Sequence, residues 1–392
     1  MCQLLGMNCA APTDFSFSLK GFCRRGGETD KHSHGWGATI YEGRGLRCFH
    51  DTLPACQSPI AELIQNYPIR TYNMLAHIRY ATQGEVSLEN VHPFTRELWG
   101  INWSFAHNGD MPLFANTDQD IFLGKTTSDT VHFNAVGDTD SEAAFCAILN
   151  ALKAEFPEGL PTLSVLHEFL NHICDEIIAG RSEDTIFNFL LGCGQYTLFA
   201  YSWPGARSGS TVWNGLHYIV REPPFSTARL LDVDYTIDFS AVTQPNDRVA
   251  VITTKPLTEE AGWTEMKRGE LLMFDKGRPY RTPKCCEAVE KEGRGLSSKC
   301  FKSKEKCNRS PTYKPVAACD SLRTTHAPQY VSPLPLTPAA RNSTSVVRSI
   351  PPLSLPPAAV KAVEQVVAMA VGVEQLTEQH EALSLESRPL AV

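Results

Sequence analysis

No apolar run in the 392 residues approaches the roughly 18 needed for a membrane-spanning helix, so nothing in the sequence predicts contact with a membrane interior. The opening segment, MCQLLGMNCAAPTDF, lacks the charged start and the apolar stretch of roughly 7–15 residues that mark a secretory signal. Cytoplasm is the expected compartment. There is no basic excess: the net charge is -7, which removes the electrostatic footprint of a nucleic-acid binder. The 13 cysteines form no C-x-x-C pairs at zinc spacing. An odd, scattered set in a chain this long is no disulfide scaffold, and a reducing compartment fits it better. A phosphate-cradling glycine loop is missing as well.

What remains is an ordinary globular composition, 42% hydrophobic and 20% charged. Residues 1 to about 283 read as one folded domain. Short runs rich in β-branched and aromatic residues, bounded by Gly, Pro or Asn, predict strands at Trp36–Tyr41, Asn73–Tyr80, Trp103–His107, Phe187–Leu191, Tyr196–Tyr201, Leu216–Val220 and Arg248–Thr253. Helical spacing predicts Ser141–Phe156, with Asp140 or Ser141 as N-cap, and Thr162–Ala179. Strands in groups with helices apart suggest antiparallel sheets with helices packed outside them. Residues 284–392 are basic, then rich in Pro, Ser and Thr, and read as a disordered tail with one candidate helix at 358–385.

Four places carry candidate chemistry. Cys2 becomes the first residue if Met1 is removed, and its freed α-amine, with an ordinary pKa near ~7.7–8.0, can serve as base for its own thiol. One residue then supplies nucleophile and base. Asn108-Gly109 follows an apolar strand. A hairpin turn is the common reading of Asn-Gly; alternatively, a side-chain amide beside a glycine N–H provides two donors for an oxyanion. Arg79, in HIRYAT, is either a solvated strand-end charge or a fork for a carboxylate. Asp140, in DTDSE, is either a helix cap or a partner for an ammonium. A nucleophile, an oxyanion hole, a carboxylate clamp and an ammonium partner are together what an amino-acid substrate requires.

With these blocks in this order the chain resembles the class II (N-terminal nucleophile, or Ntn) glutamine amidotransferases over roughly residues 2–275. Arg25-Gly26-Gly27 and Gly35-Trp36-Gly37 match further loops of that family, and GEVSLENVHPFTRELWG resembles its stand-alone YafJ-like subgroup. The resemblance implies an α+β fold, a four-layer α-β-β-α sandwich of two antiparallel sheets. It also implies Cys2 as nucleophile, Asn108 and Gly109 at the oxyanion, Arg79 on the α-carboxylate and Asp140 on the α-ammonium. The subgroup tends to carry Asp before Gly-Trp-Gly where this chain has His34, which is assigned no role. No phosphosugar-isomerase or synthetase segment follows to consume ammonia.

The implied reaction is attack of the Cys2 thiolate on the γ-amide of glutamine, release of ammonia, and hydrolysis of a γ-glutamyl thioester. It calls for no metal or organic cofactor. A fungal relative in the subgroup acts with a partner peptidase on glutathione, so γ-glutamyl peptide hydrolysis with a partner subunit is the alternative. A non-catalytic binding module on the same fold is the third reading. The expected partners are a glutamine or γ-glutamyl substrate and an acceptor or peptidase protein.

Overall fold

A computed structural model describes residues 2–81, 84–115, 121–206, 214–241 and 243–281. The tail reading for 284–392, with its helix at 358–385, lies outside the described residues. In chain order the strands are β1 (Gln3–Asp14), β2 (Trp36–Glu42), β3 (Gly45–Asp51), β4 (Arg70–Ile78), β5 (Phe94–Leu98), β6 (Ile101–Asp110), β7 (Ile186–Cys193) and β8 (Thr197–Trp203). They continue with β9 (His217–Arg221), β10 (Thr227–Arg229), β11 (Thr236–Asp238), β12 (Val249–Thr253), β13 (Thr264–Glu265), β14 (Glu270–Asp275) and β15 (Arg278–Tyr280). The α-helices are α1 (Ser16–Arg24), α2 (Pro59–Asn66), α3 (Asp140–Glu155) and α4 (Leu163–Ile178).

Two antiparallel sheets face each other. One has seven strands in the order β13-β9-β12-β1-β4-β2-β3, the other six in the order β15-β14-β8-β7-β6-β5, and β10 pairs with β11 apart from both. Period-two alternation sorts side chains between layers. Leu4, Leu75, Ala106, Leu190, Ala200, Ala250 and Leu272 meet between the sheets. On the outer face of the first sheet, Leu5, Met7, Ala38, Met74 and Val251 pack with Leu19 and Phe22 of α1 and Ile64 of α2. On the outer face of the second, Phe105, Phe189 and Phe199 pack with Phe145 and Leu149 of α3 and Leu166, Leu170 and Ile173 of α4. Three apolar seams separate four layers, helix-sheet-sheet-helix. The α+β sandwich expected from the resemblance is what the chain forms.

Local chemistry explains the helices that position the site. The Thr139 side chain accepts from the Glu142 N–H at 3.3 Å, so Thr139 is the N-cap of α3 and Asp140 its first helical residue. This corrects the expected cap by one or two positions. The Asp140 carboxylate is used elsewhere, and Thr139 takes the extended backbone conformation that a cap requires. Glu142 is buried and gathers Arg96 at 2.6 Å with the Val136 and Gly137 N–H groups, which pins the approach to α3. Among the described residues, no helix is long and apolar enough to cross a membrane.

Candidate active site

The first residue of β1 follows Cys2 directly, and β1 is an interior strand with β4 on one side and β12 on the other. Gln3 lies opposite Ile78. Leu4 and Thr254 are joined twice, by Leu4 N–H to Thr254 Oγ1 at 3.0 Å and Thr254 N–H to the Leu4 carbonyl at 3.3 Å. Position 2 is therefore held from both flanks. Beyond the end of β4 the chain passes alongside Cys2, where the Tyr80 N–H points at Sγ from 3.4 Å and Sγ sits 3.7 Å from the Tyr80 carbonyl oxygen.

Arg79 is no solvated edge charge. It is only 3% exposed, with Nη1 donating to the Glu85 carbonyl at 2.6 Å and Nη2 to the Gly84 carbonyl at 3.3 Å. Burial lowers its pKa, and the neighbouring Cys2, Asp138 and Glu89 oppose that shift. Asp138 is itself held by Asn90, whose Nδ2 donates to its carboxylate at 2.6 Å and whose Oδ1 accepts its N–H at 3.1 Å. These groups close around Gly84 (φ +70°), where a Cβ would stand 2.6 Å from Asp138 Oδ1, 3.0 Å from Asn90 Nδ2 and 3.3 Å from Arg79 Nη2. Glycine is required there by conformation and by space.

Asn108 and Gly109 do not form a turn. Both continue the β6 ladder, Asn108 opposite Asn188 and Gly109 opposite Phe187. The reason is steric: a side chain at 109 would collide with the Ile186 carbonyl oxygen, so glycine serves close strand approach and not chain reversal. Asn108 is fully buried. Its carbonyl accepts from Asn188 Nδ2 at 3.1 Å and its side-chain Oδ1 from Asn214 Nδ2 at 3.3 Å. Its own Nδ2 has no hydrogen-bond partner among the described residues. A buried amide donor left unsatisfied typically costs about 1–3 kcal/mol, which marks the position as one awaiting an acceptor.

Asp140, 5% exposed, accepts from the Met111 N–H at 2.9 Å and from Ser141 Oγ at 3.1 Å. Ser141 Oγ also meets His107 Nδ1 at 2.9 Å. The start of α3 is thus tied to the strand that carries Asn108 and Gly109. Cys2 and Arg79 flank the ends of β1 and β4 in one sheet, and Asn108 and Gly109 lie near the end of β6 in the other, with Asp140 at the start of α3 joined to the residue that follows β6. The buried imidazole of His77 links the two groups, since the His107 backbone bonds to it. His92 Nδ1 stands 3.0 Å from His77 Nε2. Burial, with Arg79 and His107 nearby, pushes His77 well below the usual histidine range, and burial with His77 beside it does the same to His92.

Several residues here escape sequence reasoning. His34, given no role, accepts the Ala81 N–H at 2.9 Å on Nδ1 and stacks on Tyr80 with ring centres 5.2 Å apart, so it supports the segment flanking the thiol. Asn188 and Asn214 are polar residues with no motif around them, whereas Asn90 and Asp138 lie inside the GEVSLENVHPFTRELWG and DTDSE blocks without being singled out there. Burial marks Asn90, Asn188 and Asn214, and burial is not written in sequence. Among the described residues, no cluster of three or more His, Cys, Asp or Glu is placed to hold a metal ion.

The geometry can be set beside known proteins. The family model of the class-II glutamine amidotransferases matches residues 1–295. YafJ of Escherichia coli K12, provisionally named a glutamine amidotransferase, is 43% identical over 277 residues, covering 71% of this chain and 98% of that protein. A Haemophilus influenzae protein with the same provisional name is 42% identical over 295 residues, covering 74% and 90%. The crystal structure of a Pseudomonas aeruginosa protein, titled as a glutamine amidotransferase on prediction, superposes with a TM-score of 0.51 at 36% identity, covering 72% of this chain and all of that one. The chain belongs to the class-II glutamine amidotransferases.

Proposed function

We propose that this protein hydrolyses the γ-amide of glutamine with Cys2 as nucleophile. The observation that carries the reading is the buried Asn108 Nδ2, a donor with no protein acceptor among the described residues, on β6 of the sheet opposite the one that Cys2 leads into. A substrate oxygen that gains negative charge is the acceptor such a donor suits, because a preorganised dipole in a dry site needs no reorganisation when charge develops.

In this reading Met1 is removed and the α-amine of Cys2 takes the thiol proton. The Tyr80 N–H, 3.4 Å from the sulfur, favours the thiolate. Attack on the amide carbon places the oxyanion against Asn108 Nδ2 and the Gly109 N–H. The amine returns its proton to the departing nitrogen, ammonia leaves, and water cleaves the γ-glutamyl thioester to glutamate. Arg79 receives the α-carboxylate and Asp140 the α-ammonium, fixing the reacting carbon near the sulfur. Such positioning is worth several kcal/mol, out of the roughly 7–11 that orientation can supply in total.

Intact mass before and after treatment with a glutamine-mimicking diazoketone tests the whole reading. The expected result is a chain that lacks Met1 and gains one adduct on Cys2, with ammonia release abolished in step. Full turnover by a protein that retains Met1 would overturn it.

A further inference from the structure

We infer that Asn214 is a positioning residue that fixes which way round the Asn108 amide stands. The inference rests on the reaction proposed above. An asparagine amide is nearly symmetric in shape, and a half-turn about its last bond exchanges a donor for an acceptor. For Asn108 the exchange matters: one orientation presents N–H to a developing oxyanion, the other presents a second oxygen and repels it.

The structure supplies a chain of hydrogen bonds that permits one orientation. It begins at the Gly205 N–H, which can only donate and points at Asn214 Oδ1 from 3.5 Å. With its oxygen so engaged, Asn214 turns Nδ2 toward Asn108 Oδ1 at 3.3 Å. Asn108 Oδ1 is then an acceptor, and Nδ2 is left as the outward donor. A second chain braces the same residue. The Leu216 N–H donates to Ser202 Oγ at 3.1 Å, so the Ser202 hydroxyl proton goes to Asn188 Oδ1 at 3.2 Å, and Asn188 Nδ2 to the Asn108 carbonyl at 3.1 Å. Both chains start from a backbone N–H, whose polarity no rotation can reverse. Asn108, Asn188, Ser202 and Asn214 are all buried, so bulk water is not at hand to substitute.

Substitution of Asn214 by Asp replaces the donor with a carboxylate that only accepts. Asn108 should then turn its NH₂ toward residue 214 and its oxygen toward the substrate. The expected result for Asn214→Asp at pH 8 is a kcat for glutamine lowered by about 10²-fold, near the loss of a whole oxyanion donor. KM should stay within about threefold, and alkylation of Cys2 by iodoacetamide, which forms no oxyanion, should keep its rate. In an Asn108→Ala background the same change should cost nothing further, since Asn214 acts through Asn108. A kcat within threefold of the natural chain, or an equal loss in the Asn108→Ala background, would overturn the inference. If Asn214→Asp is insoluble, Asn214→Ala decides by the same cycle: a few-fold kcat loss that vanishes without Asn108 supports the role, and an additive loss refutes it. A natural chain that releases no ammonia from glutamine defeats the proposed function and the inference with it. An active natural chain matched by Asn214→Asp defeats the inference alone.

Discussion

The backbone of Tyr80 holds the sulfur of Cys2 from two sides, its N–H 3.4 Å and its carbonyl oxygen 3.7 Å from Sγ. Sulfur hydrogen bonds are weak, and the neighbours of residue 2 are set by the β1 ladder rather than by its side chain. Cys2→Ala should therefore leave the fold unchanged, with Tm shifted by no more than about 3 °C, since ~0.5 kcal/mol is the usual scale for a change that disturbs no buried feature. Ammonia release should disappear. Residual turnover above background in the purified variant would remove Cys2 from the chemistry.

Asn108→Ala removes the proposed oxyanion donor and should lower kcat by about 10²–10³-fold, with KM little changed. It also deprives Asn214 of its acceptor, so a modest loss of stability is expected, about 1 kcal/mol. Steady-state kinetics alongside thermal unfolding separates the two effects.

Gly84→Ala sets a methyl group against Asp138, Asn90 and Arg79 at once, in a backbone conformation that non-glycine residues rarely take. Displacement of the proposed Arg79 clamp should appear as a KM raised by about tenfold or more, with a smaller effect on kcat, because a clamp on the α-carboxylate would bind ground and transition states alike. An unchanged KM would mean that the fork does not hold substrate.

Acid should destabilise the protein through His77 and His92. Both have pKa values pushed down in the fold, against about 6.5 when unfolded. Above that value both states carry neutral imidazoles and nothing is lost. As pH falls below it the unfolded chain binds protons that the folded chain refuses, so stability declines by up to about 1.4 kcal/mol per pH unit for each histidine. Arg79, His107 and His50 face the pair and add to the resistance. A plot of Tm against pH should bend downward below about pH 6.5, and His92→Gln should make the slope shallower. The same slope in the variant would exclude His92 as a contributor.

Much of the sandwich was legible because strands such as Trp103–His107 are short, aromatic-rich runs bounded by turn residues and long helices such as α3 repeat at 3.6. The first strand was not. Gln3–Cys9 is buried on both faces, so it shows no alternation, and Gly6, Asn8 and Pro12 interrupt it. Helices α1 and α2 span only 9 and 8 residues and give too little period to read. At the site, Cys2, Arg79, Asn108, Gly109 and Asp140 stood out as a chemically coherent set. Arg79's burial and the support from Asn188 and Asn214 could not, because the asparagine contacts bridge 80 and 106 positions of chain and depend on which strands pair and where a distant loop returns.

Gly109 has a consequence of its own. The carbonyl of Ile186 intrudes where a side chain would otherwise stand, so the β6–β7 ladder accepts one alignment and rejects sliding neighbours, much as a notch admits a single key. Whatever selects for a donor at this spot also selects for correct strand assembly. A lineage that abandoned catalysis would still be obliged to keep this glycine, and its presence alone is no certificate of an active enzyme.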